Sequence, residues 1–238
     1  MYNSILEGGT SPRRFLSSKR TMMQLTAEAL TRQLELVDAL LVGRDRMLEP
    51  QDLPGRYGRV VWALDQVLHA CDCESVVGGG WAVWRHGYVG RVTQDIDIAL
   101  PSDRIDDFLQ AASVSGFEVL VQAEGRWPKL RHRDTGIDVD VLPEGGRPGV
   151  ASRLAPTTVP HPKSMGAIRG TLKYISLPSL IELKLAAGRL RDQADVVELL
   201  RENRDRLDEV RRHLKSVHPQ YARRFEELIE QLDDSAGG

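Results

Sequence analysis

Apolar residues recur at helical spacing between Leu25 and Leu48, with Leu30, Leu34, Val37, Leu40 and Leu41 on one side, which predicts an amphipathic helix. A connector from Pro50 to Gly58, turned at Pro54-Gly55, follows. A second helix is expected over about Arg59 to Ala70, with Val60, Ala63, Leu64, Val67 and Leu68 aligned. The period then changes. Ser75 to Gly78 reads as a short strand and Gly79 to His86 as a helix opening in glycine. From Arg91 to Leu100, Val92, Ile96 and Ile98 interleave with Asp95 and Asp97, the alternation of a strand with one apolar face. Pro101-Ser102-Asp103 is expected to stop that strand and cap a helix running through Ala112. Phe117 to Gln122 and Pro128 to Arg133 read as strands, and Asp134-Thr135-Gly136 as a hairpin-type turn into a strand from Ile137 to Leu142. Residues 143–166 are rich in Gly and Pro and read as one long loop. A last strand is expected over Leu172 to Ile175. A helix entered through Pro178 continues to Leu190, and further helices follow to about Leu232.

This order of elements predicts an α/β (α+β) protein with a mixed β-sheet flanked by helices and with helices added at both ends. The expected division is a loosely held segment at 1–20, N-terminal helices at 21–72, a core at 73–176 and a C-terminal helical region at 177–238. The 238 residues, 41% of them hydrophobic, suffice for a real core. With 32 Lys and Arg against 34 Asp and Glu, there is no global pull toward nucleic acid or an anionic surface. No apolar run is long enough to span a bilayer and no apolar signal-peptide segment is seen, so a cytoplasmic protein without a membrane partner is expected. Cys71 and Cys73 flank a single residue, too short a loop for a relaxed disulfide, and are read as reduced thiols. With His69 they spell His-x-Cys-x-Cys, but no second ligand cluster accompanies them.

The chemistry lies in three short segments. Asp95 and Asp97 are two apart on a strand, so their side chains share a face. Paired carboxylates repel one another unless a cation sits between them. Mg²⁺ binds through one or two carboxylates together with substrate phosphates. A third carboxylate on a neighbouring strand would complete a two-ion site, and Ile137-Asp138-Val139-Asp140-Val141-Leu142 offers two, Asp138 and Asp140, again on one face. Upstream, Gly79 and Gly80 lack Cβ atoms, so their N–H groups can approach a phosphate closely at the start of a helix. Each feature alone is commonly a solvated sheet face or a plain turn; their order and spacing together point to a nucleoside triphosphate site.

Gly79-Gly80, fourteen intervening residues, Asp95-Ile96-Asp97-Ile98 and a later strand carboxylate resemble the nucleotidyltransferase fold shared with DNA polymerase beta, at a spacing slightly longer than the family pattern. His86-Gly87-Tyr88, Arg91 and Thr93 resemble bacterial nucleotidyltransferases related to abortive-infection toxins. Gly79-Gly80-Trp81-Ala82 with Gly90-Arg91-Val92-Thr93 is also similar to aminoglycoside and lincosamide nucleotidyltransferases. The resemblance spans about residues 75–200. It implies Mg²⁺-dependent transfer of a nucleoside monophosphate from an NTP (ATP among them), with pyrophosphate released and two ions held by Asp95, Asp97 and a third carboxylate. Val139-Asp140-Val141-Leu142 matches the family's acidic residue between apolar ones. Asp140 is therefore favoured, leaving Asp138 as a neighbour or a base. Gly79, Gly80, Arg91 and Thr93 would contact the nucleotide. Lys184, with Arg189, Asp192 and Asp195 after it, is similar to a charged motif bordering the nucleotide cleft in the toxin-like relatives.

Without the resemblance, Lys184, Gly188, Arg191 and Asp195 form one stripe of a helix, and such stripes are usually solvated. His86 is as readily a satisfied core histidine as a catalytic one. Trp81 and Trp84 are expected to anchor their helix. Arg201, Arg204, Arg206, Arg211, Arg212, Arg223 and Arg224 alternate with acids and read as a soluble surface. The first expectation for the acceptor is RNA, tRNA above all, or a protein, in a toxin-antitoxin setting with a cognate antitoxin. The second is a small hydroxylated antibiotic. A catalytically idle nucleotide- or partner-binding protein is the alternative from another class.

Overall fold

The computed structural model describes residues 56–236 apart from 89, 92, 124, 151 and 169–171. The expected helix from Leu25 to Leu48 and the segment at 1–20 lie outside the described residues.

Helix α1 (Arg56–Ala70) begins three residues earlier than its apolar stripe suggested. Val60, Leu64 and Val67 are wholly buried along it. Strand β1 (Val76–Val77) leads through Gly78 into α2 (Gly79–Arg85), then β2 (Asp95–Leu100), α3 (Ile105–Val114), β3 (Phe117–Val121), β4 (Lys129–His132) and β5 (Asp138–Pro143). A small hairpin, β6 (Gly149–Val150) and β7 (Arg153–Leu154), precedes β8 (Ala167–Ile168) and β9 (Tyr174–Ile175). Four helices finish the chain: α4 (Leu177–Ala187), α5 (Leu190–Glu202), α6 (Leu207–Val217) and α7 (Pro219–Ala236).

Seven strands form one mixed sheet in the order β3-β4-β5-β2-β1-β9-β8. Strands β2 and β5 run parallel with Asp95 opposite Asp138 and Asp97 opposite Asp140. Strand β1 is antiparallel to β2 and parallel to β9, and β4 closes antiparallel on β5. Strand β2 therefore has a partner on each side. Its Ile96, Ile98 and Leu100 are buried, as are Val139 and Val141 of β5, so the apolar faces of both strands turn to the core and the carboxylates turn to the opposite face. Trp81 and Trp84 are buried in edge-on contact, with Tyr57 against Trp81, and fasten α2 to α1 and the sheet as expected.

Several expectations need correction. Strand β2 starts at Asp95, and Arg91 and Thr93 lie in the segment leading to it. Ser102 does not cap a long helix. It opens a 3₁₀ turn (Ser102–Arg104) without a side-chain capping bond, and α3 starts at Ile105. The presumed long loop contains the β6–β7 hairpin and a 3₁₀ turn at Pro162–Met165. The helix expected to reach Leu190 ends at Ala187. Gly188 takes the left-handed conformation (φ 63°), its N–H bonds Lys184 O at 2.9 Å, and α5 starts anew at Leu190. Only glycine terminates a helix this way at no steric cost. Lys184 and Asp195 thus belong to different helices, not to one stripe. Among the described residues no helix is long and apolar enough to cross a membrane.

Candidate active site

A cleft of about 860 Å³ opens over the carboxylate-bearing face of β2 and β5. Gly79, Arg91, Thr93, Asp95, Asp97, Asp140, Lys184, Arg189 and Asp192 line it, with Val121, Arg126, Trp127, Lys129 and Leu142 from the β3–β4–β5 side. Eight of the expected site residues therefore meet in one concavity, although they come from distant parts of the chain. Gly80 lies just behind it, where an added Cβ would stand 2.6 Å from Cβ of Thr93. Asp138 and His86 are not on its wall.

Asp97 is the most perturbed of the acids. Burial, then the charges of Asp95 and Asp140, push its carboxyl from 3.8 to about 6 against the opposing pull of Lys184 and Arg91. Among the described residues neither Asp95 nor Asp97 has an ion-pair partner. Asp95 accepts a bond from the Thr93 hydroxyl at 2.7 Å. Thr93 thus orients a carboxylate, and its own carbonyl accepts from the Tyr57 hydroxyl at 3.3 Å. Asp140 is met by Lys129 Nζ at 3.0 Å. Asp138 is held by Arg131 at 2.7 and 3.2 Å and by Lys129 at 3.2 Å, and these bonds, Arg131 first, hold its carboxyl below the ordinary carboxylate range against the effect of burial. A carboxylate so engaged is a poor proton acceptor, and Asp140 is the freer of the pair.

The glycine turn presses directly on the acids. Gly78 N–H bonds Asp97 O at 2.9 Å. Gly79 adopts φ 55°, and an added Cβ would stand 1.6 Å from Asp97 Oδ2. Gly79→Ala is expected to cost at least ~1–2 kcal/mol of stability, from both the left-handed backbone and the collision, and to displace the Asp97 carboxylate. A thermal melt together with a nucleotide-binding titration checks both effects.

The late charged residues are not a solvated face. Lys184, Asp192 and Asp195 are 6%, 2% and 3% exposed. Lys184 Nζ reaches Asp195 at 2.6 Å and Asp192 at 3.2 Å across the Gly188 break. Arg91 meets the same Asp195 oxygen at 2.5 Å, tying the segment before β2 to α5. Arg189 donates to Asp192 from its backbone at 3.3 Å and its guanidinium at 2.7 Å. Asp195 was expected on the helical stripe and, by the resemblance, in a charged motif bordering the cleft, but not as a partner of Arg91. Its role depends on a contact between helices that periodicity does not show. Lys129 was also missed, although its register opposite Asp140 on β4 follows once the hairpin is aligned.

His86 is a buried core histidine. Its Nε2 lies 2.8 Å from Ile175 O, and burial lowers its basicity. The thiols of Cys71 and Cys73 donate weakly to Leu68 O and Glu74 O, and His69 turns to Asp65. Arg201, Arg204, Arg206, Arg211 and Arg224 each pair with a neighbouring carboxylate, the soluble surface expected of them.

Among the described residues no three His, Cys, Asp or Glu side chains converge as a ready-made metal cage. A hard divalent cation that shares its coordination with substrate phosphates does not need one. The donor set fits such an ion: oxygen ligands only, two acids on one strand face, a third in register beside them, and a net repulsion at Asp97 that a cation would relieve.

A mixed sheet with acids on adjacent parallel strands, beneath a glycine turn, matches the nucleotidyltransferase fold. The sequence profile of the aminoglycoside-2''-adenylyltransferase family matches residues 60–144, a span that includes the glycine turn and both acidic strands, and supports assignment to the nucleotidyltransferase superfamily. No curated protein matches. Among solved structures, ANT(2'')-Ia in complex with adenylyl-2''-tobramycin is similar at 16% identity and a TM-score of 0.40, with 75% of this chain and 97% of that one covered. The solution structure of ANT(2'')-Ia gives 15% and 0.40, over 75% and 94%. JHP933 from Helicobacter pylori gives 11% and 0.36, over 76% and 93%.

Proposed function

We propose that the enzyme moves a nucleoside monophosphate from an NTP to a hydroxyl of a small acceptor, with Mg²⁺ held by Asp95, Asp97 and Asp140. The observation that carries this is the register of β2 and β5, which sets Asp97 directly beside Asp140 while the Gly79 turn lies against Asp97. Bound Mg²⁺ would supply charge neutralisation for the triphosphate and the attacking oxygen. Arg91, Lys184 and Arg189 form the cationic wall suited to the β- and γ-phosphates. The acceptor oxygen forms a bond to the α-phosphorus, the bond to the pyrophosphate oxygen breaks, pyrophosphate leaves, and the hydroxyl proton passes to Asp140 or to solvent. Asp138 fixes Lys129 and Arg131 and takes no proton.

The family profile favours a small hydroxylated acceptor over RNA or protein. The test is transfer of label from α- and γ-labelled NTPs, with and without Mg²⁺, onto small hydroxylated compounds, total RNA and a protein extract. Label is expected to move from the α position only, only with Mg²⁺, and onto a small molecule. Transfer from the γ position would make the enzyme a kinase. Transfer onto RNA or protein would restore the toxin-like reading.

A further inference from the structure

We propose that the β3–β4 side of the cleft is an acceptor subsite for an anionic, not a polycationic, hydroxyl compound: Arg126 takes the acceptor's phosphate or carboxylate and Trp127 its flat apolar part. This rests on the nucleotidyl-transfer reading above.

The argument is one of charge. Four carboxylates line the cleft among the described residues. Asp95, Asp97 and Asp140 are taken by the metal in that reading, and Asp192 is already bound by Lys184 at 3.2 Å and Arg189 at 2.7 Å. No lining carboxylate in the described residues is left for an ammonium group. A polycation of the aminoglycoside kind carries several such groups, and each would lose hydration without gaining a counter-charge. The cations divide differently. Arg91, Lys184, Arg189 and Arg191 come from the segment before β2 and from the α4–α5 region, the side assigned to the triphosphate, and Lys129 is held by Asp138 and Asp140. Arg126 is exposed and has no ion-pair partner among the described residues. It precedes Trp127, which is half-buried against the core and packed so closely on Gly146 that an added Cβ there would stand 3.0 Å from the indole Nε1. A held indole beside a guanidinium with no ion-pair partner among the described residues suits a flat ring bearing an anionic group. Both precede Lys129, whose strand pairs with the Asp140 strand, whereas the glycine turn follows β1 on the other side of β2.

The test is calorimetric. The full chain is first titrated with Mg²⁺ and α,β-methylene-ATP, which reports the nucleotide site by itself. With that site saturated, adenosine 5′-monophosphate and tobramycin are titrated separately. The monophosphate is expected to bind and tobramycin not to. Arg126→Glu is expected to weaken the monophosphate at least ~10-fold while leaving the methylene analogue unchanged, since Arg126 is on the surface and away from the triphosphate wall. Ribose 5-phosphate in place of the nucleotide separates the anion from the ring, and Trp127→Ala should weaken only the nucleotide. Tobramycin binding as tightly as the monophosphate, an unchanged Arg126→Glu variant, or binding of neither probe would overturn the subsite. Failure of the methylene analogue to bind with Mg²⁺ would instead overturn the nucleotidyl-transfer reading.

Discussion

Asp97→Asn is expected to lose transfer activity by on the order of a thousandfold or more while making the metal-free protein more stable. The two effects have one cause. Burial and the charges of Asp95 and Asp140 hold the Asp97 carboxyl at about 6 against an ordinary 3.8. The folded state therefore binds its proton more tightly than the unfolded chain. Below pH ~4 both states are protonated and the group is neutral toward folding. As pH rises from about 4 to 6 the unfolded chain ionises first and folding loses stability. Above about 6 the loss is complete, at up to ~3 kcal/mol. Asparagine removes this penalty along with the metal ligand. Melts in chelator should show the variant above the wild type at pH 7.5 and level with it near pH 4. Equal melting at pH 7.5, or retained transfer, would remove Asp97 from the metal site.

Asp195→Ala is expected to be the most destabilising single change among the charged residues, by about 3–5 kcal/mol. The residue is 3% exposed and its carboxylate accepts from both Lys184 and Arg91. Its removal leaves Arg91 without its partner among the described residues and Lys184 with only the 3.2 Å contact to Asp192. Both cations then lose the position from which they would meet a triphosphate, so KM for the NTP should rise far more than KM for the acceptor. Asp195→Glu should recover part of the NTP affinity if the charge is what matters. Equal rises in both KM values would reduce Asp195 to a purely structural role. Denaturant unfolding and initial-rate kinetics measure the two sides.

The local pattern made the acid-bearing strands legible in the sequence. Alternation at Asp95 to Leu100 and at Asp138 to Leu142 fixed which side chains share a face, because a strand's period of two leaves no other arrangement. It could not show that the two strands are neighbours. That follows from the chain crossing from β2 to the edge strand β3 and stepping back inward through β4, which sets β5 alongside β2. Periodicity also ran α4 and α5 together, because Leu185, Ala186 and Leu190 continue the apolar spacing through Gly188. The glycine, with Asp192 placed to bond the Arg189 N–H, was the signal for the break. Burial of Lys184 and Asp192 was the hardest to foresee, since charged residues are seldom fully buried unless paired, and the pairing joins two helices and the segment before β2. The β6–β7 hairpin, of two residues per strand, is too short to leave an alternating pattern.

The position of the acids within the sheet divides the protein into a part that can drift and a part that cannot. Asp97 and Asp140 sit on inner strands whose backbone hydrogen bonds are taken on both sides, so substitutions elsewhere have little leverage on their separation. Val121, Arg126 and Trp127 come from the strand at the sheet's edge and the connection that leads inward from it. Changes there alter what is presented to the cleft without re-registering the strands that carry Asp97 and Asp140. If the acceptor sits there as proposed, a few replacements between Val121 and Lys129 would be a short mutational route from one acceptor to another, with the acid-bearing strands left unchanged.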